Sequence, residues 1–451
     1  MVNETLVRVF HNHVEGRAFV LRNREMREAE LSPRMQEGVR RVFGVDLTAE
    51  QVVTRIIADV RARGDDALLH YTREIDGVDL ESLEVTADEI DDAYRVVPAD
   101  TVAALEFAAD RIRRFHEKQH IDSWIDFQPE GALGQIVRPL ERVGLYAPGG
   151  TAPYPSSLLM TAVPARVAGV EELIVCAPPE RDGRIAPVTA VAARIARADR
   201  VFKLGGAQAI AAMALGTATV PKVDKVFGPG NIFVVLAKRQ VYGEVAIDAL
   251  PGPTETLLVA DDSADPMLCA SDMLAQAEHD AMASAILITT SPDLAQRVST
   301  ELLRQLTVLT RESIARQSLE TNGAIVVVPT VQDAFDLAND YAPEHLCLLT
   351  ADPWSQIAQV KHAGGIFVGE HSPEVLGDYT AGPSHVMPTG RTARFSSPVN
   401  VADFVKIISI IGLNERGLRH AGPAAIEIAR AEGLIAHAAA VEQRLERLRP
   451  E

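Results

Sequence analysis

Several things are scarce or missing in this chain, and each absence closes off a class of function. There are 3 cysteines in 451 residues, Cys176, Cys269 and Cys347, each alone inside an apolar run, and no CxxC pair. That excludes a disulfide framework and a thiolate zinc knot, and predicts buried, reduced thiols. Positive charge is not in surplus: 44 Lys and Arg against 62 Asp and Glu leave a formal charge of −18. Nucleic acids and anionic membranes are held by cations that neutralise phosphates, so neither is an expected partner. No apolar run approaches the roughly 18 residues that a membrane span needs. The opening MVNETLVRVFHNHVEG lacks the basic region and apolar core of a secretory signal, so the cytoplasm is the expected compartment. Nucleotide signatures are absent as well. There is no P-loop lysine pattern and no GxGxxG; Gly228-Pro229-Gly230-Asn231 has two of the glycines, but Phe233 stands at the third place.

What is present reads as an α/β protein. At roughly 100–200 residues per domain, the length allows two to four domains. Residues 48–119 read as mainly helical. Thr48 and Gln51 form a capping box ahead of Val52, Val53, Ile56, Ile57 and Val60 at helical spacing, and Gly64 stops that helix. A second helix is predicted over 101–119. Beyond it, short β-rich runs alternate with helical stretches. The first series is LIVCA (173–177), a helix near 187–197, VFKL (201–204), AQAIAAMALGT and VDKVFGP (223–229). The second is TLLVA (256–260), a helix over 265–278, SAILITT (284–290), a helix near 292–306, AIVVV (324–328), HLCLL (345–349) and IFVG (366–369). Strands alternating with helices imply βαβ units and parallel sheets. Two series predict two doubly wound, Rossmann-like lobes without a GxGxxG loop, flanked by helical N- and C-terminal segments. Near the end, Pro423 is read as a helix start and Gly433 as a break. A last helix is then expected to carry Leu434, His437, Val441, Leu445 and Leu448 on one stripe.

The candidate chemistry lies mostly in the C-terminal half. Gln276 and His279, three apart on a helix, point to one side. Alone, that pair fits a capped helix end with a satisfied histidine better than a metal site. Asp378, in the glycine-flanked loop GDYTAGPSH, and His437 could complete a mixed N/O set with room for a substrate ligand. Glu344-His345, at the entrance of the strand LCLLT, suits acid–base work, although a helix-to-strand turn with an incidental charge pair explains it as well. His116-Glu117-Lys118-Gln119-His120 matches HExxH, but the charged DRIRRF before it favours a solvated helix end over a protease site. Three glycine turns border strands: Tyr146-Ala147-Pro148-Gly149-Gly150, Gly205-Gly206-Ala207-Gln208 and Gly228-Pro229-Gly230-Asn231. In a doubly wound lobe such turns converge beyond the carboxyl ends of strands, where a dinucleotide binds.

Together these motifs resemble the histidinol dehydrogenase family over nearly the whole length. The markers are VGLYAPGGTAPYPSSLLM, GGAQAIAAMALGT, GPGNIFVVLAKRQV, AIDALPGPTE, AQAEHD, NDYAPEHL, GDYTAGPSH, and GRTARFSSP followed by DFVK. The resemblance implies zinc on Gln276, His279, Asp378 and His437, and a catalytic pair in Glu344 and His345. It places Thr254, His385 and Glu432 on histidinol together with those residues, and Tyr146, Gln208 and Asn231 on NAD. It implies a homodimer in which Glu432 and His437 serve the neighbouring subunit. It also implies a division into an N-terminal helical arm (1–30) and a larger lobe with the zinc and catalytic residues (31–142 with 254–395). An inserted NAD lobe (143–253) and a C-terminal helical segment (396–451) complete it. The implied reaction is a four-electron oxidation of histidinol through histidinal to histidine with two NAD. The alternative is a paralogous dehydrogenase of another small alcohol, such as a sulfonated diol. Three departures stand out. Thr254 occupies GPTE where the family commonly has serine, the loop reads GPSH rather than GTNH, and SSPVN replaces SSGLS.

Overall fold

The computed structural model describes residues 6–22, 31–149 and 153–448. Gly150 of the first glycine turn, and residues 1–5 and 23–30 of the expected N-terminal arm, lie outside the described residues.

Two parallel sheets form the frame. In the smaller, the strands run in the order Arg200–Lys203, Glu172–Ala177, Arg142–Tyr146, Lys225–Phe227, Ala246–Ile247. In the larger, the order is Arg8–Phe10, Ala324–Val327, Ser284–Thr289, Glu255–Ala260, His345–Leu349, Gly365–Val368. Counted along the chain from Arg142 and from Glu255, both sheets run 3-2-1-4-5, and Arg8–Phe10 adds an edge strand beside Ala324–Val327. The apolar runs are continuous because both faces are buried. Leu173 and Val175 join one core while Ile174 and Cys176 join the other; Leu258 and Ala260 likewise oppose Leu257 and Val259. The three cysteines are buried and free.

The helices form where local signals put them. Ala49–Arg63 starts on the Thr48–Gln51 capping box and ends at Gly64, whose φ of 56° suits glycine. Pro266–Ala277 and Pro292–Leu306 each open with proline in the first turn and an Asp265 or Ser291 side chain accepting a helix N–H. The helices over 33–71 pack on 202–245 and those over 87–116 pack on 143–201, so the helices of 31–142 cover the smaller sheet rather than the larger one. Apolar side chains go to the nearest uncovered sheet face, and segment order does not reveal which face that is.

Three further expectations need correction. The arm at 1–30 is not simply helical, because Arg8–Phe10 pairs as a strand before the helix His13–Val20. The C-terminal segment is not all helical: Val405–Leu413 is a nine-residue strand pairing with Gly131–Pro139, which in turn pairs with Trp124–Gln128. Its β-branched residues are spent on a separate antiparallel sheet. Pro423 lies inside the helix Glu415–Ala431 rather than at its start; Asn414 caps that helix through Gly417 N–H.

HExxH geometry does not form. The α-helix ends at His116, residues Glu117–Gln119 tighten into a 3₁₀ turn, and His120 is exposed beside Asp122 at 3.2 Å. His116 is fully buried, contrary to the solvated helix end, and its Nδ1 donates to Ile112 O at 2.8 Å.

Candidate active site

The site is built at the amino ends of two adjacent strands of the larger sheet. His345 and Thr256 are register partners there, with Glu344 and Thr254 immediately upstream. The Pro266–Ala277 helix runs back against this sheet, so its C-terminal end delivers Gln276 and His279 to the same edge. The short helix Glu374–Tyr379 and the loop after it bring Asp378 and His385.

The hydrogen bonds at this edge converge on Glu344. Its Oε2 accepts Thr254 Oγ1 at 2.6 Å and Glu255 N at 3.0 Å, and Thr254 Oγ1 in turn accepts Gln276 Nε2 at 2.9 Å. Gln276 thereby presents its carbonyl as a potential ligand atom. Burial pushes the Glu344 carboxyl up to about 8, against the opposing pull of the Thr254 and Glu255 donors. A carboxyl near that value exchanges its proton close to neutral pH.

His345 is held as a base. Its Nδ1–H donates to Glu255 O at 3.1 Å, a carbonyl that can only accept, so in the neutral ring Nε2 is the nitrogen that carries the lone pair. Nε2 is buried and has no hydrogen-bond partner among the described residues; Asp378 Oδ1 is 3.8 Å away. The ring packs on Phe367, with centroids 5.7 Å apart. Asp378 also carries His385, whose Nδ1 donates to Asp378 O at 2.6 Å and whose Nε2 meets Ser157 Oγ at 3.0 Å. Burial lowers the His385 imidazole, and Asp378, His345 and His279 are all close enough to act on its charge. Hydrogen bonds thus join Gln276, Thr254 and Glu344, and Asp378 links His345 with His385; His279, expected on the helix, stands exposed in the turn just past its end and is near enough to His385 to act on its charge.

Glu432 and His437 do not join them within the chain. Both are exposed, on a helical hairpin that packs on itself through Ile426, Ala429, Ala438, Val441 and Leu445. His437 lies beside the apolar stripe rather than on it, because Ala438 takes the buried position. Among the described residues, no group of three or more His, Cys, Asp or Glu is placed to hold a metal. The donors gathered at the site itself are an amide oxygen, an imidazole and a carboxylate. Donors of those types make a mixed N/O set of the kind that suits zinc.

The glycine turns meet at the carboxyl end of the smaller sheet. Gly206 N–H donates to Tyr146 Oη at 3.0 Å, and burial pushes the phenol up to about 12. Gln208 is buried; its Nε2 reaches Asp76 Oδ2 at 3.4 Å, while its Oε1 has no partner among the described residues. Asn231 Oδ1 accepts Phe233 N at 3.0 Å and Val234 N at 3.3 Å, capping Ile232–Val241 and leaving Nδ2 to donate outward.

Sequence reasoning missed the supports. Arg111 Nε and Nη2 hold Thr380 O at 3.1 Å and Ala381 O at 3.3 Å, fixing the loop between Asp378 and His385. Ser384 Oγ donates to Met160 O at 2.9 Å, tying that loop to the smaller sheet's helix. Glu374 is buried, bonded to Thr256 Oγ1, and raised to about 8 by burial. The signal for Glu374 was a lone acid after proline in an apolar stretch; for Arg111 and Ser384 no local signal exists.

Comparisons with known proteins show the family. The family model described as histidinol dehydrogenase matches residues 41–445. A histidinol dehydrogenase of Deinococcus radiodurans is 57% identical over 409 residues, covering 90% of this chain and 93% of that protein. One of Moorella thermoacetica is 52% identical over 417 residues, 91% of this chain and 98% of that protein. The crystal structure of histidinol dehydrogenase from Elizabethkingia anophelis superposes with a TM-score of 0.90 at 34% identity, covering 98% of this chain and 99% of that one. With the match extending across both sheets, the site and the terminal helices, the chain belongs to the histidinol dehydrogenase family.

Proposed function

We propose that the protein oxidises L-histidinol to L-histidine through L-histidinal, reducing two NAD in turn, as the closing steps of histidine biosynthesis. The observation that carries this reading is the buried His345 Nε2, without a hydrogen-bond partner among the described residues, on a ring whose Nδ1 side lies 3.8 Å from Glu344. His345 takes the proton of the alcohol while the carbon gives up hydride. Glu344 then removes a proton from the water that adds to the aldehyde, and Thr254 and Glu255 N–H hold the carboxyl in place for that transfer. When bound, zinc would fix the substrate's imidazole and amine, and NAD would accept hydride. Gln276, His279 and Asp378 are the residues of this chain that would hold the metal, with His385 directed by Asp378 toward the substrate. Enclosure between the sheets keeps the aldehyde from side reactions between the two oxidations.

The two sheets would act as Rossmann-like lobes. Residues 143–253 would contact NAD through Tyr146, Gln208 and Asn231, beyond the carboxyl end of the smaller sheet at the change of strand order. Its helical cover would come from 33–116.

The same reading requires a homodimer. The sheet of Trp124–Gln128, Gly131–Pro139 and Val405–Leu413 leaves both faces apolar and exposed, with Phe127 at 80% and Ile411 at 76%. Surface of that kind is covered by another protein. A second copy seated there would lend the exposed Glu432 and His437 to complete the site across a twofold axis.

Purified protein supplied with L-histidinol and NAD tests the reading: two NADH and one histidine should form per histidinol. Oxidation of a sulfonated diol with none of histidinol would replace it with the paralogue.

A further inference from the structure

The Gly228-Pro229-Gly230-Asn231 turn stands where the change of strand order in the smaller sheet opens a crevice between Arg142–Tyr146 and Lys225–Phe227. A loop at such a point works only if its backbone is already in the binding geometry, since ordering it on binding costs affinity. What holds this one is unusual. Lys238, on the helix that follows, is fully buried, and so is Asp248 (0% and 4% side-chain exposure), the two forming an ion pair. Lys238 Nζ donates to Gly228 O at 3.0 Å, and Gly228 N–H donates to Asp248 Oδ2 at 2.8 Å. One buried pair therefore grips both polar groups of a single peptide residue from opposite sides. Gly228 itself is held at a φ of 116°, and a Cβ there would fall 2.2 Å from Tyr146 O, so the turn is pressed against the proposed cofactor tyrosine.

A buried ion pair is poor evidence of a stability role. Its desolvation cost often cancels its attraction, and apolar replacement is often neutral. Two charges serving one glycine's N–H and C=O have a geometric role instead. The grip also extends toward the catalytic edge. Ala249 N–H donates to Asp248 Oδ1 at 2.6 Å, and four residues beyond Asp248 the Gly252 N–H donates to Thr389 Oγ1 at 2.6 Å, just before Thr254.

We infer that Lys238 and Asp248 are positioning residues for the cofactor: their buried pair locks the Gly228 peptide and so presets the Gly228–Asn231 turn for NAD. The inference rests on the cofactor site proposed above. Three measurements decide it. In the NAD-free protein, hydrogen exchange of the 226–231 peptide should show Gly228 already protected at least about a hundredfold over an unstructured amide, with little gain on adding NAD. Protection that appears only with NAD overturns the inference and needs no variant. Lys238→Met/Asp248→Leu removes both charges and leaves Gly228 without its partners. That variant should bind NAD roughly tenfold more weakly and raise the NAD KM to match, with kcat at saturating NAD and the histidinol KM within about twofold. An unchanged NAD affinity in a folded double variant overturns it; a general structural lesion would instead lower kcat. Asn231→Ala, measured in parallel, separates the two levels. Unaltered NAD binding there removes the cofactor site and this inference with it. Weaker binding there, beside wild-type binding in the double variant, removes the Lys238–Asp248 clamp alone.

Discussion

Replacing Glu344 by glutamine leaves the shape of the site almost unchanged and takes away the proton-exchanging carboxyl beside His345. The unfolded glutamate titrates near 4.5 and the folded one near about 8. Between those values the folded protein binds the extra proton, so this group's contribution to stability falls as pH rises from 4.5 to 8. At about 1.4 kcal/mol per unit, the full interval is worth on the order of 5 kcal/mol, and about half of that is a fair expectation once water and neighbours relax. The amide of the Glu344→Gln variant could still accept the Thr254 and Glu255 donors through its carbonyl, so at pH 5 the variant and the parent should melt together. At pH 9 the variant should melt higher by about 2–3 °C for a chain of this size. Calorimetry on chelator-treated protein at half-unit pH steps reads this directly. Activity should move the other way. Oxidation of supplied histidinal, which needs the water activated, should drop by roughly 10²–10⁴-fold, and the parent's rate for that step should climb through pH 8 as Glu344 loses its proton. Melting curves that stay parallel from pH 5 to 9, with an unaltered histidinal rate, would refute both the buried carboxyl and its role as base.

The other expectations are briefer. His279→Ala should strip the purified protein of zinc by elemental analysis, whereas His116→Ala should keep it while losing on the order of 2–3 kcal/mol of stability, because it empties a fully buried position. Inactive His345→Ala and inactive His437→Ala subunits, unfolded and refolded together, should recover part of the activity; no recovery in proven heterodimers would count against sites shared between subunits. Gly382→Ala, at a φ of 119° with its Cβ position 2.9 Å from Arg111 O, should cost roughly 1–3 kcal/mol and raise the histidinol KM by shifting the His385 loop.

Much of the fold was legible because its signals are local. The Thr48 capping box, the proline starts at Pro266 and Pro292 and the apolar runs of the parallel strands act through neighbouring residues, and each formed within a residue or two of where the pattern put it. The strand Val405–Leu413 was missed because its partner, Gly131–Pro139, lies in a distant part of the chain, and alternating Ile residues do not name a partner. The reading of 116–120 as a solvated end holds for Glu117, Lys118 and His120, which are exposed, and failed for His116 for a related reason. Whether a helix end is wet depends on what packs over it, and His116 is covered by chain far from it in sequence.

The types of group at the site were set by the sequence alone: a Glu-His pair at a strand entrance, an amide and an imidazole three residues apart at a helix end, and an acid beside a glycine, which the structure puts on the short helix Glu374–Tyr379 rather than in the expected loop. Only the tertiary structure decided that Glu344 is buried enough to hold its proton near neutral pH, that His345 turns its Nδ1–H to Glu255 O and its Nε2 toward Asp378, and that Glu432 and His437 stand outside their own chain's site. Burial and hydrogen-bond direction depend on which distant segments meet, and chain order does not contain that information.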